Sequence, residues 1–145
     1  LERNSETNRE VFREIFDANV YGAWFVSQAL LPLLTEAPAG RIVNQSSILG
    51  SMTLALKTDL RHAGVPVYSA SKAALNMLTV QLANQLSETR VKVNAVHPGW
   101  VKTDMGGPNA PMGIVEGAST AVRLALIDDD GPTGGYFHLD QTLPW

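Results

Sequence analysis

The sequence has 145 residues, of which 45% are hydrophobic and 17% charged, a composition that excludes a disordered chain and fits one globular domain. A formal net charge of -3 provides no basic excess for phosphate backbones, so we expect no nucleic-acid partner. The absence of cysteine excludes disulfides, thiolate metal sites and a cysteine nucleophile, and it favours a cytoplasmic location.

The chain lacks the signals that direct a protein into or across a membrane. Its longest apolar stretch, residues 20–34, is interrupted by Ser27, Gln28 and Pro32 and is too short to span a bilayer, so we expect no membrane partner. The first ten residues are mostly polar and lack the order of a signal peptide. Because no methionine opens the sequence, we expect it to begin within a longer protein.

The first part of the chain predicts a helix, a strand and a loop. Apolar residues at helical spacing predict one long helix from Asn8 to Leu34, with Pro32 as a late kink or as its end. A β-rich run over residues 41–46, bounded by Gly40 and a pair of serines, predicts a buried strand. Residues 50–66 mix glycine, proline and charged residues and indicate a loop that can include a helical turn.

The rest of the chain continues this alternation of helices and strands. Residues 67–86 have the composition of a strong helix, 91–96 predict a second strand, 115–127 a helix and 135–139 a final strand. Strands separated by a helix cannot be hairpin partners, so we expect parallel pairing through right-handed crossovers. The predicted class is therefore α/β, with about three parallel strands and flanking helices.

The most informative residues are Tyr68 and Lys72, which lie four positions apart at the start of the strongest predicted helix. They therefore share one helix face. An ammonium close to a phenol favours the phenolate, so we expect Lys72 to lower the pKa of Tyr68 from its ordinary value of about 10. Tyr68 is then a candidate proton donor or acceptor, although the same spacing also occurs by chance in many helices.

Polar groups follow two of the predicted strands. Ser46 and Ser47 come directly after the first strand, and residues 97–104 follow the second. The carboxyl ends of parallel strands meet at one edge of a sheet, where ligands of open α/β sheets bind. The turn after the second strand exposes backbone N–H groups and the hydroxyl of Thr103, which suits an amide or phosphate ligand.

Four motifs together resemble the short-chain dehydrogenase/reductase family, and the residues after Pro98 are most similar to its carbonyl reductase branch. In chain order they read DANVYG, RIVNQSS, YSASK and VNAVHPG. They match the second half of the family's Rossmann-type doubly wound parallel sheet. The resemblance implies that residues 1–145 form the C-terminal catalytic half of such a domain. The N-terminal Gly-rich half is expected to be absent, because no G-x-G-x-x-G arrangement occurs in the sequence.

The resemblance also implies roles for individual residues. Tyr68 would donate a proton to a carbonyl oxygen that Ser47 hydrogen-bonds, Lys72 would hold the nicotinamide ribose, and Asn19 would anchor a water on the proton path. Ser46 competes with Ser47, and the family's pattern favours Ser47. Tyr68 and Lys72 would also contact the cofactor, and the further cofactor contacts implied are Pro98, Gly99, Val101 and Thr103.

The implied function is an oxidoreductase that interconverts a carbonyl compound and an alcohol. NADP(H) is the implied cofactor and NAD(H) stays open, because the strand that distinguishes them is not in the sequence. No metal is expected. The family implies a homo-oligomer through the helices that carry Asn19 and Tyr68, whereas its carbonyl reductase branch is often monomeric. Ser47 and Tyr68 are 21 positions apart, farther than is common in the family, and the extra residues within 50–67 are expected to border the substrate pocket.

Two other functions fit parts of the sequence. Ser69 and Lys72 fit the S-x-x-K motif of acyl-transfer enzymes, but the companion motifs S-D-N and K-T-G do not occur in the sequence. A non-catalytic scaffold, or an inactive truncated reductase half, would explain the missing Gly-rich loop but gives no reason to keep the catalytic residue types. The histidines, which are His62, His97 and His138, show no spacing typical of metal ligands.

Overall fold

The computed structural model describes residues 8–57 and 64–145. A sheet of four strands in the order β1-β2-β3-β4 is flanked by helices. The elements are, in chain order, α1 (Arg9–Phe16), a π-helical segment (Asp17–Gly22), α2 (Ala23–Glu36), β1 (Arg41–Gln45), a 3₁₀ turn (Ile48–Gly50), α3 (Met52–Ala55), α4 (Pro66–Gln85), β2 (Lys92–Val96), α5 (Ile114–Ala125), β3 (Tyr136–His138) and β4 (Gln141–Thr142). The predicted α/β class is confirmed.

The sheet is parallel where the sequence predicts parallel pairing. β1 pairs with β2 in a register that places Gln45 opposite Val96, and β2 pairs with β3 with Val96 opposite Phe137. The carboxyl ends of these strands therefore lie at one edge. The short strand β4 is antiparallel to β3 and was not predicted. It follows a tight turn at Leu139, which has a φ of 48° and is not a residue that signals a turn.

The prediction that the first strand is buried is wrong for most of its length. Ile42 is the buried member of β1, and Gln45 is exposed. Among the described residues β1 pairs with β2 on one side only, so its other side is not covered by a neighbouring strand. In β2, which has neighbours on both sides, Val93–Val96 are all buried.

The predicted long helix is present as one helical run from Arg9 to Glu36. Its first turn is capped by Asn8, whose Oδ1 accepts the N–H groups of Glu10 and Val11 at 2.9 and 3.0 Å. Pro32 lies inside α2 and does not end it. The π-helical segment in the middle of the run was not predicted, and such local widening is often found at functional sites.

Helix α4 packs against β1 and β2. It begins with Pro66 at its first position, where the missing N–H costs no helical hydrogen bond. Although α4 has 20 residues, neither it nor any other described helix is long and apolar enough to cross a membrane. The main hydrophobic cluster lies between α4 and the strands, and its buried members are Ile42, Leu82, Ala83, Leu86, Val91 and Val93.

We expect Leu82→Ala to lower the free energy of unfolding by about 2 to 5 kcal/mol, because removing this side chain leaves a cavity in the core. Leu82 is 1% exposed, whereas Leu126, at 76% exposed, offers a matched control. Leu126→Ala should change the free energy by less than about 0.5 kcal/mol. Chemical denaturation measures both, and equal losses would contradict the assignment of the core to the α4 face.

Candidate active site

The segment after β1 holds Ser47 in a fixed position at the carboxyl edge of the sheet. The N–H of Ser46 donates to the carbonyl of Val96 at 2.8 Å, which extends the pairing of β1 with β2. Ser47 then caps the 3₁₀ turn, and its Oγ accepts the N–H of Leu49 at 3.3 Å. The N–H of Gly50 donates to the Ser47 carbonyl at 2.8 Å, so the main chain around Ser47 is tied down on both sides.

The structure brings Tyr68 to this serine from helix α4. The Ser47 side chain lies within hydrogen-bonding reach of the half-buried phenol of Tyr68. Burial raises the pKa of Tyr68 above its ordinary value, and the hydrogen bond with Ser47 offsets part of that rise. The two hydroxyl groups that the sequence predicts to act together therefore lie together at the sheet edge.

Lys72 lies on the same face of α4, with its side chain buried. Its Nζ donates to the carbonyl of Gln45 at 2.9 Å and lies 5.6 Å from the centre of the Tyr68 ring. Burial lowers the pKa of Lys72. The prediction that Lys72 brings the pKa of Tyr68 below its ordinary value is wrong for this structure. The ammonium is bound to the end of β1, and the burial of Tyr68 outweighs its hydrogen bond with Ser47.

Asn19 lies in the π-helical segment and reaches α4 through Ser71. Its Nδ2 donates to the Oγ of Ser71 at 3.0 Å, and Ser71 donates in turn to the carbonyl of Tyr68 at 2.7 Å. Asn19 is thus joined to the main chain of Tyr68, while its role in holding a water stays a prediction. Ser71 is fully buried, but no pattern in the sequence singles it out.

The loop after β2 carries the other predicted ligand contacts. Gly99 has a φ of 88°, and an added Cβ would collide with Met112, so this position needs glycine. Val101 pairs with Met112 in an isolated parallel bridge. The exposed Thr103 accepts the N–H of Gly106 at 3.1 Å. This loop follows Pro98 at the same sheet edge as Ser47, which brings the two groups of predicted residues to one side of the molecule.

The donors in this region fit a ligand that carries hydroxyl and amide groups. An ammonium has three N–H donors, so Lys72 can bind a ligand hydroxyl while it also bonds Gln45. The left-handed Gly99 lets a ligand approach the main chain closely, and Thr103 adds an exposed hydroxyl. Within the parts of the chain that the structure describes, no cluster of three or more histidine or acidic side chains could hold a metal ion.

Two histidines that looked unrelated in the sequence lie beside this site. His97 follows β2 and His138 ends β3, and their ring centres are 4.8 Å apart. The Nδ1 of His97 accepts the N–H of Ile48 at 3.2 Å, and the Nδ1 of His138 donates to the His97 carbonyl at 2.9 Å. Burial and the charge of His138 lower the pKa of His97 to about 4. His62, the third histidine, lies outside the described residues.

The contact of His97 with Ile48 predicts a pH-dependent stability. His97 must be neutral to accept this bond, so its contribution is complete above the ordinary histidine pKa of about 6.5 and is lost as the pH falls toward 4. Within that window the loss amounts to at most about 1.4 kcal/mol per pH unit. We expect His97→Asn, whose amide oxygen can accept the same bond without titrating, to weaken the fall in unfolding free energy. Equal pH dependence of the two proteins would contradict this role of His97.

Comparisons with known proteins agree with this fold. A family model described as short chain dehydrogenase matches residues 1–112. The chain is 32% identical to carbonyl reductase (NADPH) 1 of Mus musculus, with 98% of this chain and 65% of that protein covered. It is 36% identical to the C-signal of Myxococcus xanthus, with 90% of this chain and 76% of that protein covered.

Similarity extends to the three-dimensional structure. The NADPH-bound carbonyl reductase from chicken fatty liver matches with a TM-score of 0.85 and 28% identity, covering 99% of this chain and 61% of that one. The chain spans about half the length of several curated relatives that it matches. The similarity therefore covers nearly all of this chain but only part of each of these proteins.

Proposed function

The chain belongs to the short-chain dehydrogenase family, and we propose that it is the catalytic part of an NADP(H)-dependent oxidoreductase that reduces a carbonyl compound to an alcohol. The observation that carries this proposal is the pair of hydroxyls of Ser47 and Tyr68 at the carboxyl edge of the sheet, with the Lys72 ammonium beside the phenol ring. A carbonyl oxygen of a substrate could accept hydrogen bonds from both hydroxyls.

Tyr68 is the proposed proton donor. Because burial keeps its pKa above the ordinary value, the phenol is protonated at neutral pH and can give its proton to an oxygen that becomes negative. Ser47 is fixed by its own main-chain bonds and would stabilise the charge that develops on that oxygen. A protonated phenol therefore suits carbonyl reduction, in which the oxygen must gain a proton.

Lys72 and the loop after β2 are the proposed contacts for the cofactor. When bound, a nicotinamide cofactor supplies the hydride that the carbonyl carbon receives. Lys72 would bind the ribose hydroxyls, and the loop would bind the amide and phosphate groups through Pro98, Gly99, Val101 and Thr103. NADPH is favoured because the carbonyl reductase from chicken fatty liver binds it. NAD(H) stays an alternative.

The proposed cofactor site is incomplete within the 145 residues, because the sequence contains no G-x-G-x-x-G arrangement to seat a pyrophosphate. We propose that this chain is the C-terminal catalytic half of a Rossmann-type domain and that the Gly-rich half is supplied from outside it. The uncovered side of β1 is where another parallel strand could join the sheet. Homo-oligomerisation through the helices that carry Asn19 and Tyr68, and a cytoplasmic location, stay predictions.

A second candidate function is a non-catalytic role. It is favoured by one relative, the protein of Myxococcus xanthus whose name, C-signal, is that of a signal. Such a role would not need the proton donor. The acyl-transfer alternative is not favoured, because Lys72 donates to the carbonyl of Gln45 and the family model is that of a dehydrogenase.

Replacement of the proposed proton donor distinguishes the two functions. In the full-length protein, we expect Tyr68→Phe to reduce the rate of NADPH-dependent carbonyl reduction by about 10²- to 10⁴-fold, the range of general acid catalysis. NADPH binding, measured by fluorescence titration, should change little, because the aromatic ring beside Lys72 is retained.

Tyr21→Phe is the matched control. It removes the same hydroxyl from a tyrosine that is 55% exposed in the π-helical segment, and it should leave the reduction rate unchanged. Full activity of Tyr68→Phe would refute the catalytic assignment. Absence of turnover in the unaltered protein, with any carbonyl substrate and either nicotinamide cofactor, would favour the non-catalytic role.

A further inference from the structure

The polar face of α4 continues beyond Tyr68 and Lys72 to Asn76, which no part of the proposed reaction uses. Asn76 is 4% exposed, and both ends of its amide are hydrogen-bonded. Its Oδ1 accepts the hydroxyl of Ser46 at 2.5 Å, and its Nδ2 donates to the carbonyl of Gly50 at 3.3 Å. One buried side chain therefore joins both ends of the segment 46–50, which carries Ser47.

This segment also packs directly on the main chain of α4. A Cβ added to Gly50 would lie 2.7 Å from the carbonyl carbon of Lys72 and 2.8 Å from its Cβ, so only glycine permits the contact. The far end of the segment is thus placed on the helix between Lys72 and Asn76. Its near end is Ser46, which is 2% exposed and uses its hydroxyl on Asn76.

We propose that Asn76 is a positioning residue that holds the segment 46–50 so that the Ser47 hydroxyl faces Tyr68. Without the amide, the Ser46 hydroxyl and the Gly50 carbonyl would each lose a partner in a buried setting, and the segment would shift to regain one. The bond between Asn76 and Ser46 also gives the two serines different roles. Ser46 donates its hydroxyl to helix α4, and the Ser47 hydroxyl is the one that would bind the ligand. The inference rests on the proposed function only where it takes Ser47 to bind the substrate.

The chain offers a matched control one turn farther along α4. Thr79 is fully buried, its Oγ1 accepts the amide of Asn44 at 2.9 Å, and it donates to the carbonyl of Leu75 at 2.8 Å. It makes the same kind of contact between α4 and β1, but away from Ser47. Asn76→Leu and Thr79→Val each remove a buried polar group of this interface with a small change of volume.

The experiment compares hydrogen exchange and kinetics of the two variants in the full-length protein. Asn76→Leu should speed the exchange of the amides of residues 48–51 by about ten- to hundredfold, and Thr79→Val should leave them unchanged. Those amides are protected in the structure by bonds to Ser47, Ile48 and His97. Asn76→Leu should also lower kcat about tenfold or more with the KM for NADPH within about twofold, because the cofactor contacts remain.

Each outcome bears on the inference. Similar exchange at residues 48–51 in the two variants, or an unchanged kcat of Asn76→Leu in an active protein, would overturn it. If Asn76→Leu does not fold, Ser46→Ala replaces it, because this variant removes only one hydroxyl of the same contact. It should speed the exchange of residues 48–51 and lower kcat by smaller factors, and the absence of both changes would also overturn the inference. An unaltered protein without turnover would refute the proposed function alone, since the exchange measurement still decides whether Asn76 holds the segment.

Discussion

The site depends on how helix α4 lies against the carboxyl end of β1. Buried polar contacts fix this placement, namely Thr79 with Asn44, Asn76 with Ser46, and Lys72 with the carbonyl of Gln45. The three helix residues lie three or four positions apart and so share one face. Because a buried polar group without a partner is costly, sliding the helix along the strand would break several bonds at once. The register that satisfies them places Tyr68 beside Ser47.

Burial of these groups also shifts pKa values in the site. Desolvation raises the pKa of Tyr68 and lowers the pKa of Lys72, and the bond with Ser47 opposes only part of the first effect. A protonated phenol suits the reduction of a carbonyl group, in which the oxygen must gain a proton. Neutral His97 adds to the rigidity of the segment by accepting the N–H of Ile48.

Much of this could be predicted from the sequence, because helical and strand periodicities fix the class and parallel strands bring Ser47 and the loop after β2 to one edge. The hydrogen-bond partners of the site side chains could not be predicted. Lys72 bonds a main-chain carbonyl and Asn19 bonds Ser71, and no spacing reports such contacts between distant elements. The predicted direction of the Tyr68 pKa shift was wrong. The sequence shows the neighbouring charge of Lys72, but it does not show the burial that raises the pKa of the phenol.

The most direct test of this account is a double-mutant cycle of Ser47→Ala and Tyr68→Phe, read as kcat for carbonyl reduction by the full-length protein. If both hydroxyls act on one oxygen, removing the second should cost little once the first is gone. We therefore expect the double variant to be about as slow as Tyr68→Phe alone. Losses that multiply, as they do for independent sites, would contradict the claim that the two hydroxyls form one catalytic unit.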